Sequence, residues 1–131
     1  MLTKVEPGPA IVACNTCRPS AGSAGNSDGA KLVAALRELK AADARYAGIA
    51  VQEMSCLFAC NDFCAVHLRA PGKVSYVLGR FTPDAEAARA ILDYAVHYAD
   101  SEHGNVPFGD WPEGVKGHFI TRSPPEGFVA E

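Results

Sequence analysis

Five cysteines fall in two groups, Cys14-Asn-Thr-Cys17 and Cys56-Leu-Phe-Ala-Cys60-Asn-Asp-Phe-Cys64. Thiols grouped in this way pair as structural disulfides, exchange electrons through a reversible disulfide, or bind a metal as thiolates. Structural pairing fits poorly. The count is odd, and the start of the chain, Met1-Leu-Thr-Lys-Val-Glu-Pro-Gly-Pro9, has no apolar core of the length a secretory signal needs. Such a start implies a cytoplasmic, reducing setting, in which clustered cysteines mean metal binding or redox chemistry.

Spacing separates the candidates further. A zinc ribbon holds two short knuckles roughly 15 to 20 residues apart, whereas residues 18 to 55 lie between Cys17 and Cys56. A cluster of two irons and two sulfides accepts two remote cysteine pairs, because each iron takes one pair and the sulfides hold the pairs apart. On a continuous helix Cys56 and Cys64 would stand about 12 Å apart, too far for neighbouring ligands of one small centre. The segment is therefore a loop, or one cysteine is spare. Cys56 and Cys60 are the better ligands, and Cys64 is either a further ligand or a small buried hydrophobe. The same thiolates also admit a zinc or cobalt carrier or sensor. A thiol-disulfide oxidoreductase built on Cys14-Asn-Thr-Cys17 wants its attacking thiol at a helix N-terminus. Here residues 18 to 27 separate Cys17 from the next helix, so that device is missing.

The elements that would position these thiols are legible in the pattern of the chain. Pro7-Gly8-Pro9 opens a short apolar strand, Ala10 to Ala13, that ends at Cys14. Arg18 to Asn26 is small and turn-forming, and its Gly22 and Gly25 could bring backbone N–H groups close to cluster sulfides. Ser27 or Asp28 then caps a helix that runs to Ala42 with Leu32, Ala35, Leu36 and Leu39 on one face. A second strand is expected over Tyr46 to Glu53 and feeds directly into the second cysteine group. A hairpin follows, Ala65 to Ala70 and Lys73 to Gly79 around Pro71-Gly72. Thr82 caps a second helix with Pro83 at its first position and a buried stripe of Ala88, Ile91, Leu92, Ala95 and Tyr98. From about Ser101 the chain is a Gly/Pro-punctuated tail in which Trp111 pins the segment to the core. This order gives a small α/β fold, and the crossover helix implies that the first two strands are parallel, so both cysteine loops leave the same sheet edge.

Length and charge narrow the function classes. With 131 residues, 48% of them apolar, the chain suits one domain over 1–131, with a core over about 10–100 and a tail over about 101–131. The formal net charge of -3 offers no basic field for nucleic acid or an anionic membrane, and no apolar run approaches a bilayer span. No dinucleotide fingerprint, P-loop or nucleophile elbow occurs, which argues against a conventional enzyme. The histidines, His67, His97, His103 and His118, have no metal-site spacing and read as structural or solvated.

Cys56-x3-Cys60, the apolar strand after it, Ala70-Pro-Gly-Lys-Val-Ser-Tyr-Val-Leu-Gly79 and the Thr82-Pro-Asp start of a helix resemble the C-terminal half of the thioredoxin-like [2Fe-2S] ferredoxins. The cluster subunit of respiratory complex I belongs to the same group. The strand ending at Cys14 with Arg18-Pro19 close behind extends the resemblance to about residues 10–100. More narrowly, the chain resembles bacterial ferredoxin-like proteins described as predicted metal-binding, with a Cys-x2-Cys-Arg start and a Cys-x3-Cys-x3-Cys centre. Some of these are found beside cobalamin-biosynthesis genes.

The resemblance implies a thioredoxin-like α/β fold with a small mixed sheet, two main helices and an extended C-terminal tail. It implies a one-electron carrier rather than an enzyme, with a [2Fe-2S] cluster on Cys14, Cys17, Cys56 and Cys60, redox partner proteins, a homodimer formed through the sheet side, and service to a cobalamin-related biosynthetic pathway. In the stand-alone ferredoxins the second ligand lies later in the first loop, where this chain has Ser23-Ala24-Gly25. Either Cys17 or Cys64 then supplies the fourth thiolate. Thiolate ligation makes the folded protein more negative than its formal charge, which favours a basic partner surface.

Overall fold

The computed structural model describes residues 2–16, 28–55, 57 and 63–129. Strand β1 (Ala10–Cys14) leads to helix α1 (Asp28–Ala42), strand β2 (Ala50–Met54), the hairpin of β3 (Val66–Arg69) and β4 (Ser75–Leu78), helix α2 (Ala85–Asp100) and strand β5 (Phe119–Ser123). The sheet runs β2-β1-β3-β4-β5; β1 and β2 are parallel and the other neighbours antiparallel. The parallel pair follows from the crossover through α1, as the sequence order requires.

Both helices share one core on one face of the sheet. Leu32, Val33 and Leu36 of α1 and Ala88, Ile91, Leu92, Tyr94, Ala95 and Tyr98 of α2 are buried there with Ile11 and Ala13 of β1, Val66 and Leu68 of β3 and Leu78 of β4. Alternation along each strand sends the intervening residues to the opposite face. Burial of each large apolar side chain contributes about 1.5–3 kcal/mol, and this shared core fixes the strand ends that carry the thiols.

Local chemistry sets the boundaries. Pro71 and Gly72 occupy the centre of the hairpin turn, with Gly72 at φ 73° and the Lys73 N–H donating to the Ala70 carbonyl at 3.2 Å, the positive φ that a type II turn reserves for glycine. The second strand starts later than Tyr46. The Asp43 carboxylate accepts from the Arg45 N–H at 2.9 Å and caps a 3-10 turn over Ala44–Tyr46, which buries the Tyr46 ring. The second helix also starts later than Thr82. Asp84 is its N-cap, accepting from the Ala87 N–H at 2.9 Å, while the Thr82 carbonyl accepts from the Asp84 N–H at 2.8 Å in the turn before the helix.

The C-terminal tail is more ordered than its composition suggests. Two 3-10 turns, Phe108–Asp110 and Glu113–Val115, precede β5, which pairs with β4 and gives the sheet a fifth strand. Trp111 does pin this segment: its Nε1 donates to the Val106 carbonyl at 2.9 Å and its ring meets Tyr94 and Phe119. Among the described residues no helix is long and apolar enough to cross a membrane.

Candidate metal centre

The thiol-bearing end of the sheet is built from three chain segments. Parallel register sets Cys14 beside Met54, and the Asn15 N–H donates to the Met54 carbonyl at 2.9 Å, so β1 and β2 finish side by side. The antiparallel neighbour begins at the same level, with the Cys14 N–H donating to the Ala65 carbonyl at 3.0 Å. Beyond the strands, the Thr16 hydroxyl donates to the Ser55 carbonyl. Thr16 and Ser55 are the described residues next to Cys17 and Cys56 in the chain, so the two cysteine segments set out from adjacent points. Asn15 Nδ2 reaches Glu53 Oε1 at 3.2 Å, and Glu53 pairs with Arg37 of α1 at 3.0 Å, which ties the edge to the helix behind it.

Cys14 is 3% exposed and lies in a small cluster with Ala65 and Leu57, apart from the main core. Its sulfur stands 3.6 Å from Thr16 Oγ1 and 3.9 Å from the Ser55 carbonyl oxygen. A hydroxyl at that distance donates to a thiolate only by turning its one proton away from the Ser55 carbonyl, and hydrogen bonds to ligand sulfur tune a metal centre. Thr16, Ser55 and Leu57 carry no sequence signal for this role; the register of β1 on β2 brings them to the thiol.

Cys64 is placed differently. It is fully buried in the main core beneath the helices, at φ 52°, and the Arg80 N–H, on a residue that also has positive φ, donates to the Phe63 carbonyl at 2.6 Å. Non-glycine residues in this backbone region are strained and concentrate near functional sites. Cys17, Cys56 and Cys60 lie outside the described residues, as does the glycine-rich stretch with Gly22, Ser23, Ala24 and Gly25. Among the described residues no three His, Cys, Asp or Glu side chains are grouped to hold a metal ion.

The histidines keep to structural places. His67 of β3 lies half-buried, and burial, reinforced by the charge of Arg69, pushes its pKa below the ordinary value. His118 stacks on Phe81 with ring centres 4.4 Å apart while its Nδ1 meets the Gly79 carbonyl at 2.9 Å. His97 and His103 are exposed.

A five-stranded mixed sheet with two helices on one face, and a thiol site where the parallel pair ends, defines a thioredoxin-like fold. Two solved structures of a thioredoxin-like [2Fe-2S] ferredoxin from Aquifex aeolicus are similar to it. One has a TM-score of 0.58 at 16% identity, covering 95% of this chain and 100% of that chain. The other, of the wild-type ferredoxin, has a TM-score of 0.57 at 16% identity, covering 88% and 99%. The chain belongs to the family described as "Protein of unknown function (DUF1636)", whose model matches residues 11–125. No curated protein matches the chain.

Proposed function

We propose that the protein is a one-electron carrier whose [2Fe-2S] cluster is held by Cys14, Cys17, Cys56 and Cys60. The observation that carries this reading is the junction of the Cys14 strand end with Ser55, bridged by the Thr16 hydroxyl, from which both cysteine pairs depart. The donor set fits the group: thiolates in two remote pairs suit a two-iron cluster, and Cys14 already sits sheltered from water beside a hydroxyl. When bound, such a cluster takes up and releases one electron. The residues of the chain do the rest: the Cys14 backbone fixes its sulfur at the end of the strand, Leu57 covers it, and the Thr16 hydroxyl stands beside it.

The burial of Cys64 in the main core, away from the Cys14 cluster, supports Cys17 as the fourth ligand. The resemblance to proteins found beside cobalamin-biosynthesis genes extends the reading to a cofactor-biosynthetic pathway in the cytoplasm, with basic redox partners and a homodimer. Anaerobically purified protein is expected to be reddish-brown, to bleach with dithionite, and to contain iron and sulfide in equal amounts. Colourless protein with stoichiometric zinc overturns the reading in favour of a metal carrier.

A further inference from the structure

At the far side of the core from α1, a cleft of about 450 Å³ opens between β5, α2 and the segment before β5. Tyr76, Tyr94, Trp111 and Phe119 wall it, and Asn105 and Arg122 are among its polar residues. The rings brace one another edge to face: Phe119 meets Tyr76 at 5.5 Å and Tyr94 at 5.4 Å, and Tyr94 meets Trp111 at 5.9 Å.

Three tyrosines are buried almost completely, and two of them have their hydroxyls satisfied by protein. Tyr46 donates to Asp93, and Tyr98 donates to the Val74 carbonyl at 2.6 Å. Tyr94 is 1% exposed, and its hydroxyl has no hydrogen-bond partner among the described residues. No fully buried side-chain polar atom among those residues lacks a partner, so the Tyr94 hydroxyl keeps some contact with solvent, and Tyr94 is one of the residues that line the cleft. Burial holds this phenol well above its usual pKa, which keeps it a proton donor. The Arg122 side chain makes no ion pair or hydrogen bond among the described residues, and its residue stands opposite Tyr76 in the β4–β5 pair, where its charge acts on the Tyr76 phenol. A few polar groups in an otherwise aromatic cleft are the pattern of a small-molecule site.

We infer that this cleft binds a small planar aromatic carboxylate, its ring against the Trp111, Phe119 and Tyr76 walls and its carboxylate on the Arg122 guanidinium and the Tyr94 hydroxyl. The planar fork of arginine matches a carboxylate in two parallel hydrogen bonds, and stacking selects a flat ring over a puckered one. No cysteine takes part, so the site stands or falls independently of the metal centre.

Calorimetric titration of the full chain with benzoate, benzyl alcohol and cyclohexanecarboxylate tests it. Benzoate should bind saturably and at least about fivefold more tightly than either of the others, as expected when a charged hydrogen bond or a stacking face is lost. Arg122→Gln, at an exposed position, should abolish the preference for benzoate over benzyl alcohol. Tyr94→Phe should weaken benzoate by about fivefold while the indole N–H resonance of Trp111, the one tryptophan of the chain, stays in place in the unliganded variant. Absence of saturable benzoate binding, equal affinity for the three probes, or an Arg122→Gln variant that keeps the preference overturns the inference.

Discussion

Cys14 and Cys64 lie in different surroundings although the Cys14 N–H bonds the carbonyl of Ala65, the residue after Cys64. Cys14 shares its small cluster with Leu57 and Ala65; Cys64 is packed among the residues beneath the helices. Replacing Cys14 by Ala should therefore abolish bound iron, whereas Cys64→Ala should retain iron and sulfide and cost only about 1 kcal/mol for one lost buried heavy atom. Iron assays together with urea unfolding separate the two outcomes, and loss of iron from the Cys64 variant would return that thiol to the ligand set. Thr16 makes a finer prediction. Its hydroxyl, 3.6 Å from the Cys14 sulfur, is expected to turn from the Ser55 carbonyl to a ligand thiolate and so to favour the more negative reduced state. Thr16→Val should lower the reduction potential at unchanged iron content, and Thr16→Ser should restore it, as read by a redox titration. Cysteine spacing alone left Cys64 undecided, since a loop thiol and a core thiol look the same in sequence; the positive φ at Cys64 and its burial come from tertiary packing.

At the scale of elements, the ends of α2 show what holds the scaffold behind the site. Asp84 caps its N-terminus, and Lys73 donates from Nζ to the last-turn carbonyls of Tyr98 at 3.0 Å and Ala99 at 2.6 Å, placing a cation where the helix dipole is negative. Asp84→Ala and Lys73→Met should each destabilise the fold by about 1 kcal/mol, seen as a lower urea midpoint at constant slope. A near-zero effect of Lys73→Met would show that the charge is screened. Gly104 is less forgiving: at φ 88°, an added Cβ would come within 2.8 Å of both the Tyr98 ring and the Val74 carbonyl oxygen, so Gly104→Ala should cost more than either cap. Periodicity and turn chemistry disclosed both helices, the hairpin and its Pro71-Gly72 turn, because those signals are local. The start of β2 was hidden by the cap that Asp43 makes, and the start of α2 by competition between two cap residues on either side of Pro83, Thr82 and Asp84. Strand β5 was invisible because Phe119–Ser123 has little apolar alternation of its own and becomes a strand by pairing with β4. The aromatic cleft beside β5 was hidden for the same reason.

Over the whole molecule, the groups whose ionisation differs between folded and unfolded chain set a pH window of stability. His67 is held below its ordinary value of 6.5, first by burial and then by Arg69, so the unfolded chain takes up a proton that the folded one resists. Its contribution is present above pH 6.5 and is lost as the pH falls below that value toward the depressed folded pKa. Asp43, lowered by its hydrogen bonds from Arg45, acts on the same side but only in the more acidic range below 3.8. The buried tyrosines act at the opposite end. Burial, with Tyr76 close by, pushes Tyr98 up to about 12 from 10.0 and raises Tyr94 further. Their contribution is complete below pH 10 and is lost as the pH climbs from 10 through the raised folded values. Stability should therefore be level between about pH 7 and pH 9.5 and fall on both sides. His67→Gln should flatten the acid limb between about pH 7 and pH 5 and leave the alkaline limb unchanged. Urea midpoints measured across that range decide it, and an acid limb of the same steepness in the His67→Gln variant would assign the loss to carboxylates instead.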